Sequence, residues 1–185
     1  MKILKNTLTT AFYATFLALT ACKSDDVSAK LDDKELITTV KLTYTNHANA
    51  SDIVKATWKD IDGVGGTPSV IDNITLKANT KYHVTLEVLD EAKNPAQNKT
   101  DEIRSEGINH QFFYTPSPAA LLVVDYGDKD AKNLPLGLAT MQTTTKSGTG
   151  RLKITLKHQP SLKNATSTIL TGETDIEVDF PVTIN

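Results

Sequence analysis

Apolar and polar residues alternate along several stretches of the chain. In residues 81–88 the even positions carry Tyr, Val, Leu and Val, and the odd positions carry Lys, His, Thr and Glu. The same alternation runs through 152–156 and 176–184. A period of two places successive side chains on opposite faces of a strand, so these stretches are predicted to be β-strands with one buried face.

Turn-forming residue pairs such as Asp62-Gly63, Asn94-Pro95 and Ser147-Gly148 separate the apolar stretches. The complete pattern predicts about nine short strands: 36–45, 51–58, 70–78, 81–88, 108–115, 119–126, 137–145, 152–156 and 176–184. Strands with one polar face favour antiparallel sheets that pack against each other. We therefore predict an all-β fold, an immunoglobulin-like antiparallel β-sandwich of about eight to nine strands.

Two local features refine this prediction. Pro181 interrupts the last alternating stretch, which predicts that the C-terminal strand lies at a sheet edge or contains a bulge. The only helix candidates are 27–36 and 90–104, and Pro95 disrupts the second. The inward positions of the strands predict a core made of Val40, Leu42, Val54, Trp58, Ile74, Leu76, Tyr82, Val84, Leu86, Leu152, Ile154, Ile176, Val178 and Phe180.

The N-terminus has the pattern of a secretory signal peptide. Lys2 and Lys5 precede a largely apolar run over 8–19, which is too short to span a bilayer as a helix. The run ends in Leu-Thr-Ala-Cys at 19–22, which resembles the bacterial lipobox, where the cysteine is lipidated and the bond before it is cleaved. The alternative is a buried N-terminal helix with a chance cysteine.

These features predict a signal peptide over 1–21, a lipidated Cys22 with a flexible tether over 22–34, and a sandwich domain over 35–185. The acidic cluster Lys-Ser-Asp-Asp at 23–26 resembles the surface-export signal of Bacteroidota lipoproteins. We therefore expect a protein anchored in the outer membrane and exposed at the cell surface. A periplasm-facing anchor is the alternative.

Composition narrows the possible functions. The chain of 185 residues has a formal net charge of −2, and removal of Lys2 and Lys5 leaves 18 − 22 = −4, which argues against nucleic-acid binding. Cys22 is the only cysteine, so intrachain disulfides and multi-cysteine zinc sites are excluded, and lipidation would consume its thiol. The 27 threonines favour strands.

Two acidic loops are candidate calcium sites. Asp60 and Asp62 alternate on one glycine-rich loop, and Asp128 and Asp130 alternate on another. Carboxylates two residues apart on a bent loop can present oxygen ligands to Ca²⁺. Neither loop completes the twelve-residue helix–loop–helix pattern, and Asp with Gly is also typical of a plain turn.

Two of the four histidines are candidate ligands for a transition metal or haem. His110 shares a strand face with Ile108 and Phe112, and His158 continues the apolar row that ends at Leu156. Two inward imidazoles that meet could hold a metal ion. The alternative is that both residues end a core face as hydrogen-bonded, inert side chains. His83, by contrast, lies on the polar face of its strand.

Motifs that would indicate an enzyme are missing from the sequence. It contains no G-x-S-x-G nucleophile elbow and no G-x-x-x-x-G-K-[ST] phosphate loop. We therefore expect a non-enzymatic protein.

Several stretches resemble a group of small, uncharacterised outer-membrane lipoproteins of the Bacteroidota: 35–40, 56–60, 74–80, 110–115, 134–138, 156–160 and 172–175. Some members are labelled as type 1 periplasmic binding folds, which are two-lobed α/β structures much larger than the 164 residues from 22 to 185. The resemblance implies association with TonB-dependent receptors and supplies no site residues. It favours a lipid-anchored binding or receptor-accessory module. The alternatives are a metal- or haem-capturing lipoprotein that uses His110 and His158, and a structural or adhesion protein of the envelope.

Overall fold

The computed structural model describes residues 36–63 and 66–185. The predicted signal peptide, the predicted lipidation site Cys22, the predicted tether and nearly all of the first helix candidate therefore lie outside the described residues. Within them the chain forms eleven strands: β1 Thr39–Asn46, β2 Ile53–Lys59, β3 Val70–Ile71, β4 Ile74–Leu76, β5 Lys81–Asp90, β6 Gln97–Asn98, β7 His110–Ser117, β8 Leu122–Tyr126, β9 Ala139–Thr144, β10 Gly148–His158 and β11 Glu173–Ile184. A helix, α1, spans Lys99–Ser105, and a 3-10 helix spans Ala119–Leu121.

The strands form two sheets, which confirms the predicted all-β sandwich. Sheet A has seven strands in the order β3-β2-β1-β5-β9-β8, with β6 also paired to β5. Sheet B has four strands in the order β4-β11-β10-β7. All nine predicted strands lie in stretches that form strands, but the expected number was too low. Asp72 and Asn73 divide the third stretch into β3 and β4, and β6 was not predicted.

The core lies between the sheets and contains the predicted alternating side chains. Most of them are buried, while Val54, Trp58 and Ile176 are only partly buried and pack against the others. Tyr44 and Phe112 also belong to the core. They face inward for the same reason as the predicted residues, because each occupies an alternate position of its strand.

The C-terminal strand is not at the edge of sheet B. β11 pairs with β10 over most of its length, and its other side pairs in parallel with β4 only from Val182 to Ile184. Pro181 therefore lies just before the paired segment, on a stretch whose outer side needs no ladder hydrogen bond. The strand does contain a bulge, but at Asp175: the register passes from Leu156↔Ile176 to Lys157↔Thr174.

Helix α1 occupies the end of the second helix candidate and begins after Pro95. The side chain of Asn98 accepts a hydrogen bond from the Thr100 amide at 2.9 Å, which caps the first turn. The Thr100 hydroxyl contacts the backbone of Val88 in β5, and Ile103 is fully buried. The helix therefore closes one end of the core.

The two ends of the sandwich are defined by the strand register. Thr39 of β1 pairs with Leu89 of β5, and His110 of β7 pairs with His158 of β10. At this end the Phe112 amide of β7 donates to the Leu136 carbonyl at 2.8 Å, which ties sheet B to the loop that precedes β9 of sheet A. We call it the proximal end, because the described chain begins here at residue 36. Its loops are 60–69, 91–109, 127–138 and 159–172; the opposite, distal end carries the turns 47–52, 77–80 and 145–147.

Candidate functional site

The first acidic loop uses its carboxylates to hold a turn. Asp60 Oδ1 accepts from the Gly63 amide at 2.9 Å, and Asp62 Oδ2 accepts from the Thr67 amide at 2.8 Å. The bond from Thr67 also holds the pKa of Asp62 below its usual value. Each carboxylate accepts from a different backbone amide, so the loop has the hydrogen bonding of a turn.

The second acidic loop is tied down in the same way. Asp128 accepts from the amides of Gly137 at 2.7 Å and Leu138 at 2.9 Å. Asp130 Oδ1 accepts from the amides of Lys132 and Leu134 at 2.8 and 2.9 Å. Across the described ranges, no group of three or more His, Cys, Asp or Glu side chains is placed to hold a metal ion. Both aspartates therefore organise the loop 127–138.

The structure brings the predicted histidine pair together at the proximal end. The rings of His110 and His158 are stacked, with centroids 4.7 Å apart and planes inclined by 14°. His110 Nδ1 lies 3.2 Å from the Glu106 carbonyl oxygen, and its Nε2 lies 3.8 Å from Oδ2 of Asp175, the bulge residue. Burial lowers the pKa of His110. Ring nitrogens point outward in the ring plane, so stacked rings do not direct two lone pairs at one ion.

Lys163 also belongs to this region, and it was not among the candidate residues predicted from the sequence. Its side chain is 1% exposed, and its ammonium lies 2.9 Å from Oδ2 of Asp130, whose side chain is 0% exposed. The ammonium also donates to the carbonyl oxygens of Gly107 and His110, both at 2.7 Å. Burial lowers the pKa of Lys163, and the hydrogen bond and charge of Asp130 oppose that shift. A lysine in a polar loop is normally exposed, so its sequence position carries no signal.

Lys163 holds the loop 159–172, which we call the clamped loop. Gln159 adds two contacts, because its amide donates to the Asn109 carbonyl at 2.6 Å and its side chain donates to the Thr171 carbonyl at 3.1 Å. At the other end of the loop Gly172 has a φ of 74°, and a Cβ atom there would collide with the His158 carbonyl oxygen. The first part of the loop is therefore tied to the sandwich at Gln159 and Lys163, and its last residue, Gly172, packs closely against the His158 backbone.

The clamped loop nevertheless exposes aliphatic side chains. Leu170 is 88% exposed, and Leu162 and Ile169 are about half exposed. Ile61 and Val70 are exposed at the same end and line a cavity of about 270 Å³. Single exposed apolar residues are common on protein surfaces, but Leu162, Ile169 and Leu170 lie within nine residues of one another on one loop, so the proximal end is a candidate interaction surface.

A polar depression lies on the outer face of sheet A. It has a volume of about 530 Å³ and is lined by Lys41, Leu42, Thr43, Lys55, Thr57, Thr85 and Glu87. Lys41 lies 3.8 Å from both Glu87 and Glu91, so much of its charge is balanced. The described residues that line the depression are polar or charged except Leu42, so it offers little apolar surface and is a weaker candidate than the proximal end.

Comparison of the chain with protein-family models, curated proteins and solved structures gave no match. Within the described part of the chain, no helix is both long and apolar enough to cross a membrane. The function is therefore inferred from the geometry and the sequence.

Proposed function

We propose that this protein is a lipid-anchored, non-enzymatic binding module that serves a TonB-dependent uptake receptor at the outer membrane, exposed at the cell surface. The observation that carries the proposal is the clamped loop with its exposed Leu162, Ile169 and Leu170. The receptor as partner is what the resemblance to Bacteroidota lipoproteins implies.

The clamped loop combines two properties that a binding surface needs. Exposed aliphatic side chains gain free energy when a partner removes them from water, about 25 cal/mol per Å² of apolar area. The loop is also anchored through Gln159 and Lys163 before any partner arrives, and hydrogen bonds within the loop, such as Gln159 to Thr171 and Thr168 to Thr171, define the turn that carries Leu170. A surface that is already ordered loses less conformational entropy on binding, so more of the gain appears as affinity.

The path of the chain supports a partner within the membrane. Thirteen residues, 23–35, separate Cys22 from residue 36, where the chain enters the proximal end. An extended segment of this length reaches about 45 Å. A lipid on Cys22 would therefore hold residue 36, where the proximal end begins, within about 45 Å of the membrane, which leaves an integral receptor in reach.

Site-specific photo-crosslinking in cells tests the proposal. A photoreactive amino acid replaces Leu170 in one strain and Thr149, an exposed residue at the distal end, in the matched control. We expect position 170 to give an adduct with an outer-membrane receptor, identified by mass spectrometry, and position 149 to give much less. Equal adducts from both positions would contradict the proposal. So would adducts with lipid alone, or no adduct from position 170.

A further inference from the structure

Two histidines at the distal end direct ring nitrogens at each other on the protein surface. His47 Nδ1 lies 2.7 Å from His83 Nε2, and the ring centroids are 4.9 Å apart with planes inclined by 48°. His83 is on the outer face of β5, and His47 follows the last residue of β1. We propose that His47 and His83 form a surface site for a divalent transition-metal ion, with copper(II) preferred.

The backbone around both residues is well ordered by hydrogen bonds. The His47 amide donates to the Lys81 carbonyl at 2.9 Å, which sets the two strands side by side. The side chain of Asn46 accepts from the Ala48 amide and donates to Asp52, both at 2.9 Å, and this fixes the turn that carries His47. The two imidazoles are therefore brought together by structure that exists without a metal.

The separation of the nitrogens favours a tetragonal ion. Two nitrogens about 2.0 Å from an ion and 90° apart are about 2.8 Å from each other, whereas a tetrahedral angle separates them by about 3.3 Å. The observed 2.7 Å between His47 Nδ1 and His83 Nε2 is the separation of a hydrogen bond, and the nitrogens would have to move apart less to reach the first value than the second. Copper(II) prefers tetragonal geometry and stands highest in the affinity order for divalent ions of this series. On binding, the ring that donates the hydrogen bond would carry its proton on its other nitrogen, so that both facing nitrogens offer a lone pair to the ion.

The surroundings leave room for further ligands. A cavity of about 210 Å³ lies next to His47, lined by polar residues that include Thr80 and Lys81, and it can admit water to the ion. Met141 pairs with His83 across β9, on the same outer face. Residues directly opposite have Cβ atoms about 5 Å apart, which is within reach of a thioether, and thioethers are copper ligands. Lys81, two residues before His83 on β5, adds an exposed positive charge on this face.

This pair differs from the buried pair at the proximal end. His47 and His83 are exposed and their nitrogens face each other, whereas His110 and His158 are stacked, with His110 buried and His158 half-buried. An ion can reach the first pair from solvent without displacing core side chains. The distal pair is therefore the better metal site of the two.

Copper titration of the full chain in detergent tests the proposal. All proteins carry Cys22→Ser, which removes the only thiol. Calorimetry measures affinity and stoichiometry, and electron paramagnetic resonance reports nitrogen ligands of copper(II). We expect one copper per chain with two nitrogen ligands, and a loss of at least about tenfold in affinity for His47→Ala and for His83→Ala. Lys81→Ala is the matched surface control and should bind copper at least as tightly as the parent.

Two results would overturn the proposal. One is stoichiometric copper binding with nitrogen ligands in the His47→Ala/His83→Ala protein, which would place the ion elsewhere. The other is copper binding to the parent protein that is no stronger than to this double variant. Thermal unfolding of the metal-free proteins should give unchanged midpoints, since both side chains are exposed, and it separates a lost ligand from a damaged fold.

Discussion

The ammonium of Lys163 lies 2.9 Å from Oδ2 of Asp130, and both side chains are almost fully buried. The pair joins the loop 127–138 to the clamped loop. Two more oxygens, from Gly107 and His110, complete the surroundings of the ammonium. A buried charge without partners is very costly, so this single side chain links three segments of the proximal end.

Replacement of Lys163 by Met should destabilise the protein strongly. Asp130 and two carbonyl groups would then be buried without their cation, and the loss of one partner of a buried pair typically costs about 3–5 kcal/mol. Urea unfolding measures the change in the free energy of unfolding. Lys163→Met/Asp130→Asn should lose less than the sum of the two single variants. Lys153→Met, which removes an exposed pair with Glu177, is the control and should change stability little. A small effect of Lys163→Met would refute the clamp.

Stability should decrease as the pH falls below the ordinary pKa of histidine. Burial holds the pKa of His110 below its unfolded value, so between the two values only the unfolded chain takes up this proton. The contribution of the neutral His110 ring to the free energy of unfolding is fully present above pH about 6.5, and it is lost as the pH falls towards the lower pKa of the folded state. The groups around the ring are the Glu106 carbonyl, His158, Lys163 and Asp175. Unfolding free energies measured from pH about 7.5 to about 5.5, a range that brackets the unfolded value, should decline less steeply for His110→Asn. Parallel curves would contradict this assignment.

Two glycines provide a matched pair of substitutions. Gly172→Ala should destabilise the protein by about 1 kcal/mol or more, because φ is positive and the new methyl group would meet the His158 carbonyl oxygen. Gly148→Ala should be close to neutral, since no atom of the described residues lies within 4 Å of the position that its new methyl group would take. Chemical unfolding measures the free energy of unfolding of both variants. The yield of the photo-crosslink from position 170 should decrease only in Gly172→Ala. Equal stability of the two variants would mean that the loop end tolerates displacement.

Cys22→Ser should abolish lipidation. The lipobox prediction requires the thiol as the acceptor of the lipid, so fatty-acid labelling should be lost, and mass spectrometry should find the signal peptide still attached. Ser28→Ala in the tether should keep the label and is the control. Retention of the label in Cys22→Ser would refute the lipobox assignment.

The strands were predictable because their pattern is local. A strand of a sandwich has one face in the core and one in water, and residues such as Tyr82, Val84 and Leu86 record this directly as alternation. Pro181 and Asp175 show the limit of such reasoning. Pro181 indicated a disturbed strand, but the position of the bulge depends on how β11 is paired with β10, which no local pattern contains.

Residues of the candidate sites were only partly predictable. His110 and His158 share inward faces, so their meeting could be anticipated, but their stacked geometry could not. The acidic pairs indicated loops correctly, while the amides that occupy their oxygens come from residues up to ten positions away. The contacts of Lys163 and the pairing of His47 with His83 depend on strand order and register. Neither can be predicted from composition.

By itself, the sequence determined that the protein is an all-β chain, and it predicts a lipid anchor at Cys22. Both follow from local patterns, because the alternation and the lipobox each lie within a short run of consecutive residues. Only the tertiary structure decided which polar groups meet: Lys163 with Asp130 under the clamped loop, and His47 with His83 on the distal surface. These contacts join segments more than thirty residues apart, and their geometry is set by the packing of two sheets. The apolar surface of Leu170 became a candidate binding site for the same reason, since exposure is a property of the fold.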